Sequence, residues 1–186
     1  MSLSVKDRGQ AVATHRYILV NLMETLARWV PTTPEMEAKL LFGSHVWDLA
    51  QHADALGKRT HELRLPLQHS LAPAPEYVRL LDEVAGIEDT RKRIAAFYDV
   101  VVPALDARYR GYLAATDPLM DAPTVRILDR ILADDARMIR ESQELRSSLP
   151  ELQDGEDGWA SALTRREAGL RNLVAVANAE AAQQAS

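Results

Sequence analysis

From Gln10 towards the far end of the chain, apolar residues recur at intervals of three and four, and nowhere do they alternate in twos. That spacing lines one side of an α-helix, so the pattern predicts helices and no strand. The first helix is expected over about 10–29, with Ile18, Leu19, Leu22, Met23 and Leu26 on one face. The run "VPTTPEME" should end it and begin the next. Thr33 can cap, Pro34 suits a first helical position, and Glu35 and Glu37 favour the positive end. The second helix can continue to Arg64 before Leu65-Pro66 stops it, a span of roughly 45 Å at about 1.5 Å per residue. A Pro-containing crossover over 65–75 leads to a short helix, "PEYVRLLDEVAG", closed by Gly86. A third long helix is expected from Asp89 to Ala115, bent or split by Pro103. Asp121 and Pro123 announce a fourth, which runs to about Ser148.

Four long helices joined in this way make an all-α, antiparallel four-helix bundle with one long crossover, occupying residues 1–150. Residues 151–186 begin with the polar linker "ELQDGEDG" and continue as an Ala-rich segment. A helix from Trp159 to Ala179 would have to bury Leu163, Leu170, Leu173 and Val174, either as an added element or at a homodimer contact. Composition narrows the function. Lys and Arg number 22 against 27 Asp and Glu, a formal charge of −5, which argues against a general nucleic-acid or membrane-surface binder. With no cysteine, disulfides, thiolate metal sites and cysteine nucleophiles are excluded. The polar start "MSLSVKDRGQ" has no apolar signal core, and no apolar run approaches the ~18 residues of a membrane span, so a cytoplasmic protein is expected.

The candidate chemistry lies in "SHVWDLAQHADALGKRTHELR". His45, Asp48 and His52, with Leu41, Ala55 and Arg59, form one stripe of the second helix beside an apolar face. Asp135 falls among the core positions of the fourth helix, while its neighbour Asp134 should point away. Glu24 sits at the margin of the first helix's apolar face, and Asp99 and Asp106 share a row with Val102 and Tyr109. Buried carboxylates must be paired, hydrogen-bonded or bound to a cation. Helical bundles meet this by enclosing metal ions between carboxylates and histidines of facing helices. Each residue also has a plainer reading. The histidines can be satisfied interfacial side chains, Asp48 can pair with a base, and Asp135 can bond across the bundle to Tyr17, Tyr98 or Arg59 without metal.

The run "HVWDLAQHADALGKRTHELR", followed two helices later by "YRGYLAATDPLMDAPTVRILDRILADDARM", resembles a group of bacterial ferritin-like proteins over residues 10 to 150. That resemblance implies the four-helix bundle and, in many members, a dimetal centre built from two Glu and two Glu-x-x-His pairs. The chain departs from this pattern: Met138 stands where the second histidine would be, Gln51 lies at the required offset from Asp48, and Asp replaces Glu at both acid positions.

Two functions from different classes follow. One is a metal-dependent oxidoreductase acting on a small organic molecule, using one or two iron or manganese ions. Its catalytic groups would be His45, Asp48, His52 and Asp135, its metal ligands those four with Glu24 and Asp99 or Asp106, and its pocket Tyr17, Trp47, Arg59 and Tyr98. The other is a metal-free binding or structural bundle whose polar stripe fixes helix register. Metal-independent acid–base catalysis by a His–Asp pair has only the spacing in its favour.

Overall fold

The computed structural model describes residues 3–153, 158–170 and 173–174. Among the described residues all regular structure is helical, apart from an isolated bridge between Pro73 and Val174. The long helices are α1 (Val5–Thr32), α2 (Met36–Glu62) and α6 (Ala122–Ser148). Between α2 and α6 come α3 (Pro75–Ala85), α4 (Thr90–Ile94) and α5 (Val102–Ala115), and α7 (Trp159–Gly169) follows. No helix among the described residues is long and apolar enough to cross a membrane.

Helix ends follow local chemistry. Ser4 and Asp7 close α1 with a reciprocal capping box, the Ser4 hydroxyl accepting from the Asp7 N–H at 3.1 Å. Thr33 does not cap α2 as its sequence position proposed. It is buried at the other side of the turn, donating to the Trp29 carbonyl at 2.8 Å and accepting from Arg93 at 2.9 Å. Pro34 therefore stays outside the helix, and α2 starts at Met36. After α2, the Thr60 hydroxyl and the Gly57 carbonyl hold the crossover, the latter accepting from the Gln68 N–H at 2.9 Å.

The third long helix is divided just ahead of Pro103, the second residue of α5. Ala95–Val101 widens into a π-helix between α4 and α5, the Val102 N–H reaching the Phe97 carbonyl. A proline ring would strike the carbonyl four residues before it in an α-helix, and the wider turn moves that carbonyl aside. The widening also resets the helical phase. Asp99 is turned out to the surface, where Arg146 grips it at 2.6 and 2.9 Å, while Asp106 stays half-buried; the row proposed from regular periodicity is broken.

One apolar core runs through the molecule. It takes Leu22, Leu26 and Trp29 from α1, Phe42, Leu49 and Leu56 from α2, Phe97 and Tyr98 from the π-helix, and Leu128, Ile131 and Met138 from α6. Tyr77, Leu80, Leu81 and Val84 of α3 belong to the same core, so residues 66–90 build no second one. In the C-terminal part, Leu163 is buried and α7 ends at Gly169. Leu173 is not helical: its carbonyl accepts from the Ala74 N–H at 2.8 Å, and Val174 bridges Pro73. The expected helix to Ala179 is thus interrupted by residue 173, and its last residues lie outside the described ones.

Candidate functional site

The stripe on α2 finds its partners on α6. His45 Nε2 lies 2.7 Å from Glu141 Oε2, Asp48 Oδ2 lies 3.0 Å from Arg137 Nη2, and His52 Nε2 lies 2.9 Å from Asp134 Oδ2. Positions rise on one helix as they fall on the other, so α2 and α6 are antiparallel and in fixed register. His45, His52 and Arg59 recur at heptad spacing, and all three are buried. Asp48 sits at the seam's edge with Asp134, Arg137 and Glu141, each partly exposed.

Arg137 holds this seam. Its guanidinium reaches Asp48 at 3.0 Å, Asp134 at 3.3 Å and Glu141 at 3.3 Å. Burial lifts the Asp134 carboxyl, but hydrogen bonds from His52 and Arg137 outweigh it and leave the group below its usual value. Glu141 behaves in the same way through His45 and Arg137. Both acids are therefore carboxylates that only accept, which assigns the proton on each histidine. Burial depresses His45 and His52 in spite of those carboxylates, so both rings are neutral and Nε2 carries the hydrogen.

The two imidazoles differ at the other nitrogen. His45 Nδ1 accepts from the buried Tyr98 hydroxyl at 2.7 Å, so Tyr98, His45 and Glu141 form a chain from the core to the surface. His52 Nδ1 is buried and has no hydrogen-bond partner among the described residues. Tyr98 is pushed well above the ordinary phenol value by burial and by the Glu141 charge, so it acts as a donor.

Asp135 lies behind the seam and is buried; its carboxyl is not paired with Tyr17, Tyr98 or Arg59 but set beside Asp106 of α5, whose Oδ1 has no hydrogen-bond partner among the described residues. Burial raises both carboxyls, and the charge of Asp106 raises Asp135 further. The fully buried Tyr109 hydroxyl has no hydrogen-bond partner among the described residues; burial and then the charge of Asp135 hold it protonated. On α1, His15 packs edge-on against Tyr109 with centroids 5.0 Å apart, and burial lowers its pKa to about 4.

The remaining sequence candidates lie elsewhere. Glu24 is exposed, Tyr17 is half-buried on α1, and Trp47 is exposed on the outer face of α2. Arg59 lies at the far end of α2, its guanidinium fully engaged by Asp121 at 2.8 Å, Thr124 at 2.8 Å and Glu62 at 2.7 Å. The structure thus gathers His45, Asp48 and His52 with Asp134, Arg137 and Glu141, and leaves Glu24, Asp99, Trp47 and Arg59 outside that group. Among the described residues, no three His, Asp or Glu side chains are arranged to hold a metal ion. No protein-family model, no curated protein and no solved structure matches the chain.

Proposed function

We propose that this chain is a metal-free helical protein of ferritin-like architecture, an antiparallel four-helix bundle with α3 in its crossover and α7 added, which works by binding or scaffolding. The observation that carries this is the Arg137 guanidinium set among Asp48, Asp134 and Glu141. This partly exposed side-chain cation supplies the charge that a metal would otherwise bring to such a ring of acids, and it ties α2 to α6. The proposal also takes the protein to be cytoplasmic, a placement resting on the sequence alone.

A second reading, the iron- or manganese-dependent oxidoreductase acting on a small molecule, is favoured by His52. Its Nε2–H is held by the Asp134 carboxylate while Nδ1 has no hydrogen-bond partner among the described residues. A metal-ligating imidazole is oriented in that way, one nitrogen free and the other tied to a carboxylate. Metal titration separates the two. The metal-free reading expects the purified chain to take up no Mn(II) or anaerobic Fe(II) at micromolar concentrations, and its melting temperature to ignore chelator. Uptake of one or two ions per chain that Arg137→Ala does not create and His52→Gln abolishes would overturn it in favour of the enzyme.

A further inference from the structure

Three large apolar side chains stand out from the solvent side of α2: Met36, Leu40 and Trp47 are 61%, 67% and 68% exposed. With Gly43 they fall at i, i+4, i+7 and i+11, a straight stripe of about 16 Å at ~1.5 Å per residue. Nothing lies within 4 Å of where a Gly43 side chain would begin, so the stripe has a notch in its middle. The other large exposed hydrophobics among the described residues, Val5, Leu67, Leu119 and Met120, sit at a helix start or in connections and form no such stripe.

We propose that this stripe is a self-association surface, on which α2 of a second copy packs antiparallel about a two-fold axis. Two features point to a copy of the same chain. First, the stripe is complementary to its own reverse. One axis between positions 41 and 42 sets Met36 opposite Trp47 of the other copy and, without further adjustment, Leu40 opposite the notch at Gly43. Large meets small at the centre, and flexible meets flat at both ends, which is the isologous pairing a two-fold demands. Second, the stripe is large enough to form the apolar centre of an interface, the rest of whose area falls to the rim. Three side chains about two-thirds exposed, each of roughly 200 Å², offer about 400 Å², half of the ~800 Å² per partner of a standard interface. The half-buried and exposed polar residues alongside, Lys39, Ser44 and Gln51, supply a rim. The proposal uses the outward face of α2 and is independent of the Arg137 seam.

The test is sedimentation velocity of the full chain from about 1 to 100 µM, with helicity followed by circular dichroism. A dimer is expected, with Leu40→Glu and Trp47→Glu each weakening it at least about ten-fold and Gly43→Leu weakening it by filling the notch. Helicity should not change, since none of these side chains is in the core. The chain contains no cysteine, so the register can be read directly. M36C and W47C chains, mixed and oxidised, should form the mixed disulfide, and W47C alone should not. A monomer throughout the range, a dimer indifferent to L40E and W47E, or W47C linking to itself as readily as to M36C would each overturn the proposal.

Discussion

Replacing Asp121 by Ala should be among the most damaging single changes available to this molecule, and more damaging than removing the arginine it pairs with. Asp121 is fully buried and accepts four hydrogen bonds: from Thr124 at 2.6 Å, Tyr112 at 2.7 Å, Arg59 at 2.8 Å and Thr116 at 2.9 Å. Removing one member of a buried ion pair costs about 3–5 kcal/mol, because the other charge is left in the interior. Arg59 would keep Glu62, but that carboxylate is exposed and worth little. The orphaned hydroxyls add to the cost without summing fully, since they can turn towards one another. In Arg59→Met the carboxylate still holds three hydroxyl donors and the aliphatic stem is replaced, so about 1–3 kcal/mol is expected. Urea unfolding followed by circular dichroism gives both values. For a chain of this length, ~4 kcal/mol also lowers the melting temperature by roughly 8–16 °C. Burial raises Asp121, yet its hydrogen bonds from Thr124, Tyr112, Arg59 and Thr116 leave it below the ordinary value. Its folded pKa being depressed, the contribution is intact above the unfolded carboxyl value of about 3.9 and lost as pH falls through the folded value. The wild-type advantage over D121A should therefore shrink only below about pH 4. If R59M costs as much as D121A, or D121A costs less than about 1 kcal/mol, the hub is not Asp121 and the reasoning fails.

His15 offers a second pH test of opposite position in the scale. Its pKa falls from 6.5 to about 4 on burial, so folding excludes a proton that the unfolded chain binds, and stability should decline as pH drops from about 6.5 towards 4. His15→Phe should flatten that decline in unfolding curves taken at each pH, and an unchanged slope would place the effect elsewhere. Two glycines in helices should respond oppositely to alanine. Gly111 has open space around it, so Gly111→Ala should raise stability by about 0.5–1 kcal/mol through helix propensity. A methyl at Gly57 would strike the Gln68 amide, which bridges Arg16 at 2.9 Å and Asp54 at 2.9 Å, so Gly57→Ala should gain nothing and lose order in the crossover. A Gly57→Ala variant as stabilised as Gly111→Ala in thermal melts would show that the bridge gives way freely.

Helix positions were legible because burial follows the apolar period, and the heptad of His45, His52 and Arg59 was legible for the same reason. What escaped was phase and partner. Regular periodicity put Asp99 and Asp106 in one row, and only the π-helix ahead of Pro103 separates them, a local remedy for a missing N–H that no apolar count reveals. Asp134 was read as pointing away because it adjoins the apolar stripe rather than lying in it; the edge of a stripe is where a seam between two helices carries its charges. The signal that could have found its partners is the spacing itself. Asp134, Arg137 and Glu141 stand at steps of three and four, as His45, Asp48 and His52 do, so an antiparallel pairing brings all six together.

The spacing also treats His45 and His52 as equivalents, and their surroundings make them different devices. Each gives its one N–H to a carboxylate of α6, which spends the hydrogen in both rings and leaves the lone-pair nitrogen to define the role. At His45 that nitrogen is taken by the Tyr98 hydroxyl, so the ring is a closed link between the core and Glu141, and freeing it would strand a buried phenol. At His52 the lone pair is buried and has no partner among the described residues. At the seam itself His52 presents Nε2 to Asp134, its buried Nδ1 lies on the other side of the ring, and Arg137 stands among the carboxylates. In the proposed metal-free reading the His45 end of the stripe fixes helix register, and His52, with one ring nitrogen lacking a partner among the described residues, is the residue on which the two readings of this protein part.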